Sequence, residues 1–238
     1  MNSFSIGAER ALINGEITSA SIEISHGIIT KVVPRPTQLA GDILLRESDC
    51  VLSPGLIDCQ INGISDINFF DADKEELERA LVALARHGVT SCTPSMISAP
   101  IGELVAAIDA SDCGESSPSG ALRARHLGYH IEGPFLSDDF SRAHDGRFFL
   151  DPTPQHLDPL LETGRVSIIT LAPERAHALN AISAIREAGV IASAGHSGAT
   201  FEQMVDAVAA GLSMVTHLFN GMDKDKNGGI LRAASELR

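Results

Sequence analysis

Residues 190–217 read VIASAGHSGATFEQMVDAVAAGLSMVTH, two apolar runs separated by a helix-prone stretch. The runs at 190–194 and 214–217 have the length and composition of buried strands. Between them, Thr200 can cap a helix that extends to Ala210, and Gly211 can end it. The stretch therefore predicts a strand, a loop, a helix and a second strand, with a histidine at the end of each strand.

The same alternation runs through the chain from residue 50 onward. Helices are predicted at 74–87 and 175–188, where apolar residues recur at helical spacing and a glycine follows. Buried strands are predicted at 56–59, 89–93, 127–131, 166–171, 190–194 and 214–217. Alternating strands and helices indicate a parallel sheet, either open and doubly wound or closed as a (β/α)₈ barrel. No Gly-x-Gly-x-x-Gly follows the first strand, which disfavours a nucleotide-binding fold.

The first fifty residues have a different pattern. Short β-prone pieces are separated by Asn14-Gly15 and His26-Gly27, which are typical of tight hairpin turns, and Pro34 and Pro36 end the pattern. We expect residues 1–50 to form a small antiparallel sheet and residues 51–238 to form a second domain.

Composition excludes several classes of function. The chain of 238 residues has a net charge of -13 and no basic cluster, which disfavours nucleic acid and anionic membranes as partners. No apolar run approaches the ~20 residues of a membrane helix, and no basic segment followed by an apolar stretch starts the chain. We therefore expect a cytoplasmic protein whose four cysteines are reduced thiols.

Three residues with metal-binding side chains follow three different predicted strands. Glu132, His196 and His217 lie at the carboxyl ends of their strands, where parallel α/β sheets carry their ligands. Two histidines and one carboxylate are the ligand set of a catalytic zinc site with one open position. Each residue also has a structural interpretation, because a histidine at a strand end is often only hydrogen-bonded, and a glutamate can cap a helix.

Other polar residues lie near the same edge. His130 precedes Glu132 by two positions and shares its face of the strand, where we expect a hydrogen-bonded interior histidine. His144 lies on a polar loop after Glu132, either in contact with a substrate or only solvated. Asn220 and Gly221 follow His217, and Gly221 can bring its backbone N–H close to an anion.

Five motifs together resemble one family of enzymes. In order they are PGLIDCQING (54–63), HIEGPFL (130–136), TLAPE (170–174), SAGHSGAT (193–200) and THLFNGM (216–222). Their order and spacing are similar to those of the N-acetylglucosamine-6-phosphate deacetylases, in the amidohydrolase superfamily. The resemblance implies a TIM barrel with a small β-sandwich and zinc or a similar divalent ion. It also implies hydrolysis of the acetamide of N-acetylglucosamine 6-phosphate to glucosamine 6-phosphate and acetate.

The resemblance also implies roles for individual residues. Glu132, His196 and His217 match the metal ligands of the family. The substrate-contacting residues match Ala143, His144, Asn220 and Gly221. Many amidohydrolases have His-x-His on the first barrel strand, which supports a second metal. Here that place holds Gln60-Ile61-Asn62, and because amides are poor zinc ligands beside imidazole, we expect one metal ion.

The chain departs from the family pattern after Met222. An Arg that binds phosphate is expected there, and Lys226 is the nearest basic candidate. The resemblance assigns the catalytic Asp to the last barrel strand, beyond Arg238, so no catalytic residue is expected in this chain. We therefore expect an incomplete TIM barrel of about six of its eight βα units, with a homo-oligomer or aggregation favoured by its open edges.

Three functions remain open from the sequence. The first is metal-dependent deacetylation of an amino-sugar phosphate. The second is a truncated or degenerate fragment that binds metal or sugar phosphate and is catalytically weak. The third is hydrolysis of a cyclic amide, as in dihydroorotase-like relatives, which Gln60 and Asn62 disfavour because those relatives use His-x-His and two metals.

Overall fold

The computed structural model describes residues 3–46, 50–111, 122–223 and 229–237. The chain divides into two compact units, Met1–Gly55 and Leu56–Arg238, which we describe one at a time. Within the described residues, no helix combines the length and the apolar character needed to cross a membrane. Lys226, the candidate phosphate-binding residue, lies outside the described residues.

The first unit is a four-stranded sheet in the order β3-β2-β1-β4. Its strands are β1 (Ser3–Ile13), β2 (Glu16–Ser25), β3 (Ile28–Pro34) and β4 (Ile43–Leu45). Strands β1 to β3 pair antiparallel, as the sequence predicts, whereas β4 adds parallel to β1. Both hairpins turn where predicted, because Asn14-Gly15 and His26-Gly27 all have positive φ, as tight hairpin turns require.

The second unit is built on a parallel sheet. Its main strands are β5 (Leu56–Ile61), β8 (Val89–Met96), β10 (Tyr129–Glu132), β11 (Val166–Leu171), β12 (Ile191–Ala194) and β13 (Met214–Val215). They are ordered β5-β8-β10-β11-β12-β13, and a short β9 (Arg125–His126) pairs beside β8. Spatial order follows chain order at every step, as in a barrel and unlike a doubly wound sheet. The expected incomplete TIM barrel is therefore confirmed. A small hairpin of β6 (Gly63–Ile64) and β7 (Ile67–Asn68) follows β5.

Helices separate these strands. They are α1 (Lys74–Arg86), α2 (Ile101–Ser111), α3 (Pro154–Glu162), α4 (Ala178–Glu187), α5 (Phe201–Ala210) and α6 (Gly229–Glu236). The start of α1 is fixed by a capping box, in which Asp73 accepts from the backbone N–H groups of Glu75 and Glu76. Thr200 caps α5 in the same way, as predicted.

The predicted start of α4 is wrong by three residues. The sequence predicts a helix from Arg175, but the structure begins it at Ala178. His177 adopts a left-handed φ of 67°, which is incompatible with a continuing right-handed helix. Arg175 instead belongs to the preceding loop, where its side chain donates to Asp151 at 3.0 Å and to the Leu136 carbonyl at 2.5 Å.

Candidate metal centre

The three candidate ligands meet at the carboxyl edge of the parallel sheet. Glu132 is the last residue of β10, while His196 and His217 each follow by two residues the ends of β12 and β13. The Nε2 atoms of His196 and His217 lie 3.1 and 2.8 Å from the same oxygen, Oε1 of Glu132. The two Nε2 atoms are 3.0 Å apart. Three potential ligand atoms thus form one small triangle.

Backbone carbonyls determine which nitrogen of each ring carries hydrogen. Nδ1 of His196 lies 2.8 Å from the Phe140 carbonyl, and Nδ1 of His217 lies 3.0 Å from the Asn220 carbonyl. A carbonyl only accepts hydrogen bonds, so both Nδ1 atoms are donors. In the neutral rings, each Nε2 therefore presents a lone pair to the other and to the Glu132 carboxylate.

Such a convergence of lone pairs is repulsive unless a cation lies among them. The edges of the triangle, 2.8–3.1 Å, are close to the roughly 3.3 Å between donor atoms in a tetrahedral zinc site with bonds of about 2.0–2.1 Å. Hydrogen bonds from the far ring nitrogens to backbone carbonyls also orient the rings, as is typical of metal-bound histidines. The residues present therefore fit a divalent metal ion.

Charge and burial act together on these groups. Burial alone would raise the pKa of Glu132, but contacts with His144, His196 and His217 outweigh it and hold that pKa far below its ordinary range. The hydrogen bond with Glu132 raises the pKa of His217 above its ordinary 6.5, against the opposing effect of burial. The cluster therefore keeps its carboxylate ionised and attracts a positive charge, either a proton or a metal ion.

The backbone around both histidines is strained. His196 and His217 have positive φ values of 49° and 30°, which residues other than glycine rarely adopt. Gly221, with φ of 61°, lies against both rings, and a Cβ there would come within 3.1 Å of Nδ1 of His196. Backbone strain of this kind is concentrated at functional sites, and glycine permits the close approach.

His144 lies beside the cluster but in a different role. It is buried, and its Nδ1 accepts from the backbone N–H of Ser98 at 3.2 Å. In the neutral ring the hydrogen is therefore on Nε2, which faces Oε1 of Glu132 at 3.8 Å. By distance alone, Glu132, His144 and His196 also form a group able to hold a metal. The tautomer favours His217 over His144 as the third ligand, because Nε2 of His144 is a donor.

Two residues in this region make contacts that the sequence does not predict. Gln60 donates from Nε2 to the second carboxylate oxygen of Glu132 at 2.8 Å, which leaves Oε1 facing the histidines. Glu174 accepts from Ser197 Oγ at 2.5 Å and from the backbone N–H of Gly198 at 2.7 Å, and so holds the loop after His196. Gln60 and Glu174 lie in the motifs at 54–63 and 170–174 that resemble those of the deacetylases. The motifs identify these positions but do not predict the contacts that the two residues make.

The candidate substrate-contacting residues surround the same edge. Ala143 lines a cavity of 720 Å³ together with Asn62, Ser98 and Phe148. Asn220 is exposed, and its carbonyl accepts from His217. Gly221 contacts the rings of both histidines, as described above. The structure therefore brings His144 and Gly221 directly against the cluster and places Ala143 in an adjoining cavity.

Comparisons with known proteins agree with this architecture. No family model matches the chain. It is 34% identical over 181 residues to the N-acetylglucosamine-6-phosphate deacetylase of Bos taurus, covering 73% of this chain and 43% of that protein. It is 29% identical over 212 residues to the N-acetylgalactosamine-6-phosphate deacetylase of Escherichia coli O157:H7, covering 87% and 54%. A solved N-acetyl-D-glucosamine-6-phosphate deacetylase mutant from Mycobacterium smegmatis, in complex with N-acetyl-D-glucosamine-6-phosphate, superposes with a TM-score of 0.81 at 29% identity, covering 98% and 60%.

The incomplete TIM barrel, with a glutamate and histidines at its carboxyl edge, places the chain in the amidohydrolase class, whose deacetylases are metal-dependent. Within that class, the chain is a homologue of the N-acetylglucosamine-6-phosphate deacetylases, and the resemblance predicted from its motifs is confirmed. The chain spans about half the length of the curated relatives it matches, between 43% and 54%.

Proposed function

We propose that the protein to which these residues belong hydrolyses the acetamide of N-acetylglucosamine 6-phosphate to glucosamine 6-phosphate and acetate. The observation that carries the proposal is the triangle of Glu132 Oε1 and the Nε2 atoms of His196 and His217, with edges of 2.8–3.1 Å. The names of the relatives support the choice of substrate.

The three ligands hold one divalent ion, which we propose to be zinc. Imidazole nitrogens with one carboxylate suit zinc, and three protein ligands leave one position open. When bound, the ion supplies Lewis acidity that polarises the acetamide carbonyl and makes water more acidic. Gln60 is hydrogen-bonded to the free oxygen of Glu132 and so orients the carboxylate rather than holding a second ion.

The neighbouring residues bind and orient the substrate. His144 presents an Nε2–H donor at the edge of the cluster and is the group suited to donate to a substrate oxygen. Ala143 lines the adjoining cavity, whose 720 Å³ is enough for a sugar phosphate. Asn220 and Gly221, which follow β13, contact the sugar phosphate, as the resemblance implies.

Proton transfer needs a carboxylate in addition to Glu132, whose oxygens are engaged by the histidines and Gln60. The resemblance assigns this role to an Asp outside the 238 residues. General acid–base catalysis contributes roughly 10²–10⁴-fold, so we propose that the 238-residue chain alone has at most a trace of activity. The second candidate function, metal or sugar-phosphate binding without turnover, is favoured by the coverage of about half of each relative.

Metal analysis tests the site. The purified chain should bind close to one equivalent of zinc, and His196→Ala should lose it. His87→Ala removes an exposed histidine at the end of α1 and should retain the zinc. Equal zinc content in the His196→Ala and unaltered chains would contradict the ligand assignment.

Single-turnover acetate release tests the reaction. The 238-residue chain and a version extended by two further βα units are compared at matched metal content, with the 6-phosphates of N-acetylglucosamine and N-acetylgalactosamine as substrates. We expect turnover from the extended protein and at most a trace from the shorter chain. Comparable rates would refute the need for an external carboxylate, and Asp223 and Asp225 would be the first residues to replace.

A further inference from the structure

A chain of buried hydroxyl groups runs beneath the metal site. Ser193 Oγ lies 2.7 Å from Thr216 Oγ1, which lies 2.7 Å from Thr170 Oγ1. Thr170 Oγ1 in turn lies 2.7 Å from Nε2 of His130, and Nδ1 of His130 lies 2.8 Å from the Cys59 carbonyl. The four side chains are at most 1% exposed.

The direction of every hydrogen bond in this chain follows from its last link. The Cys59 carbonyl only accepts, so Nδ1 of His130 carries hydrogen and Nε2 is an acceptor. Thr170 must then donate to His130, Thr216 must donate to Thr170, and Ser193 must donate to Thr216. Thr170 and Thr216 therefore each accept one hydrogen bond and donate one, and successive bonds of one direction polarise one another.

This chain of hydroxyl groups links the strands that carry the proposed metal ligands. His130 lies two residues before Glu132 on β10, Ser193 lies three before His196 on β12, and Thr216 directly precedes His217. Thr170, on β11, connects β10 with the other two.

Gly195 lies in the same layer, next to His196. A Cβ at Gly195 would lie 2.7 Å from Cγ2 of Thr170 and 3.1 Å from Cβ of Thr216. The backbone that leads into His196 is therefore packed directly on the two threonines. A shift of either threonine would move His196 as well as the hydroxyl chain.

We propose that Thr170 and Thr216 are positioning residues, which fix the relative heights of β10, β12 and β13 so that the three ligand atoms meet. This inference rests on the proposed metal site. Ligands must be held within about half an ångström of the productive geometry, and partners behind the ligands affect metal affinity about 10–100-fold. A purely structural role would require only that each buried hydroxyl be paired, without any effect on metal affinity.

Thr170→Val tests the proposal, because it keeps the shape of the side chain and removes the hydroxyl. We expect zinc affinity, measured by chelator competition, to fall about tenfold, and the visible spectrum of bound Co²⁺ to change. Thr170→Ser keeps the hydroxyl and should retain most of the affinity. Thr93→Val makes the same change on β8, where the buried Oγ1 has no hydrogen-bond partner among the described residues, and should leave zinc affinity unchanged.

Zinc affinity of a folded Thr170→Val chain equal to that of the unaltered chain would overturn this inference alone. Failure of the unaltered chain to bind zinc would overturn the proposed function and the inference with it. If Thr170→Val does not fold, ¹⁵N spectra of the unaltered chain decide. Hydrogen on Nδ1 of His130 and a hydrogen-bonded, unprotonated Nε2 support the directed chain, and the opposite tautomer refutes it.

Discussion

Zinc and a proton should compete for the same place in the cluster, so that stabilisation by zinc depends on pH. His217 Nε2 lies 2.8 Å from Glu132 Oε1, and that carboxylate raises the pKa of His217 above 6.5. In the metal-free chain, protonated His217 stabilises the fold below 6.5, and this contribution is lost as the pH rises through the raised pKa. Zinc needs the same lone pair, and it must therefore displace the proton in acid.

The size of the effect follows from binding linkage. Free zinc at 100 times its Kd stabilises the folded chain by about 2.7 kcal/mol, or about 5–10 °C in Tm for a chain of this size. Each pH unit below the raised pKa of His217 weakens apparent affinity about tenfold, which is about 1.4 kcal/mol. Two units below that pKa, the same zinc concentration should stabilise the chain by only about 0.4 kcal/mol.

Calorimetric melts measure this stabilisation. The Tm is compared between samples without zinc and samples at one fixed free zinc concentration, across pH 5.5–8.5. The difference in Tm should widen as the pH rises and then level off. His87→Ala should follow the unaltered chain, and Glu132→Gln should show little difference at any pH. A difference in Tm that is constant across the series, or retained in Glu132→Gln, would refute the competition.

Three further outcomes are expected. Gln60→Leu removes the donor to Glu132 and should weaken zinc binding about tenfold in chelator competition, whereas unchanged affinity would show that the carboxylate needs no such support. Asp73→Ala should lower the free energy of unfolding by about 1 kcal/mol in urea titrations, and Asp73→Asn, which keeps the capping acceptor, should lose much less; equal losses would argue against the cap. The 238-residue chain should be oligomeric or aggregate in light scattering, because Leu56 and Ile57 on the edge strand β5 are 59% and 63% exposed; a stable monomer would argue against this edge as a pairing surface.

The hairpins and the alternation of strands and helices could be predicted because each rests on local sequence patterns. Asn14-Gly15 turns where only residues that tolerate positive φ are suited. The helix α1 begins after Asp73, whose side chain caps it, as is typical of aspartate before a helix. The start of α4 could not be predicted, because the left-handed backbone at His177 depends on how the preceding loop is held, and no local pattern encodes it.

The candidate ligands could be identified from their place after three strands, but their chemistry could not. The tautomers of His196 and His217 depend on the carbonyls of Phe140 and Asn220, and a ring's neighbours are visible only in three dimensions. The link between Gln60 and Glu132 joins residues 72 positions apart. A sequence pattern gives the type of residue at a strand end, whereas the pairing of side chains across strands depends on the three-dimensional arrangement of the sheet.

The left-handed backbone at His196 and His217 restricts which residues could replace these two candidate ligands. Asn and Asp tolerate positive φ better than other side chains that have a Cβ, and β-branched residues tolerate it least. Asp at either position would therefore fit the chain path, but its carboxylate lies nearer the backbone than Nε2 of histidine and would not reach the same point. Ligand exchanges that introduce threonine would oppose the backbone itself. Together, φ values of 49° and 30° make the choice of candidate ligand partly a property of the main chain.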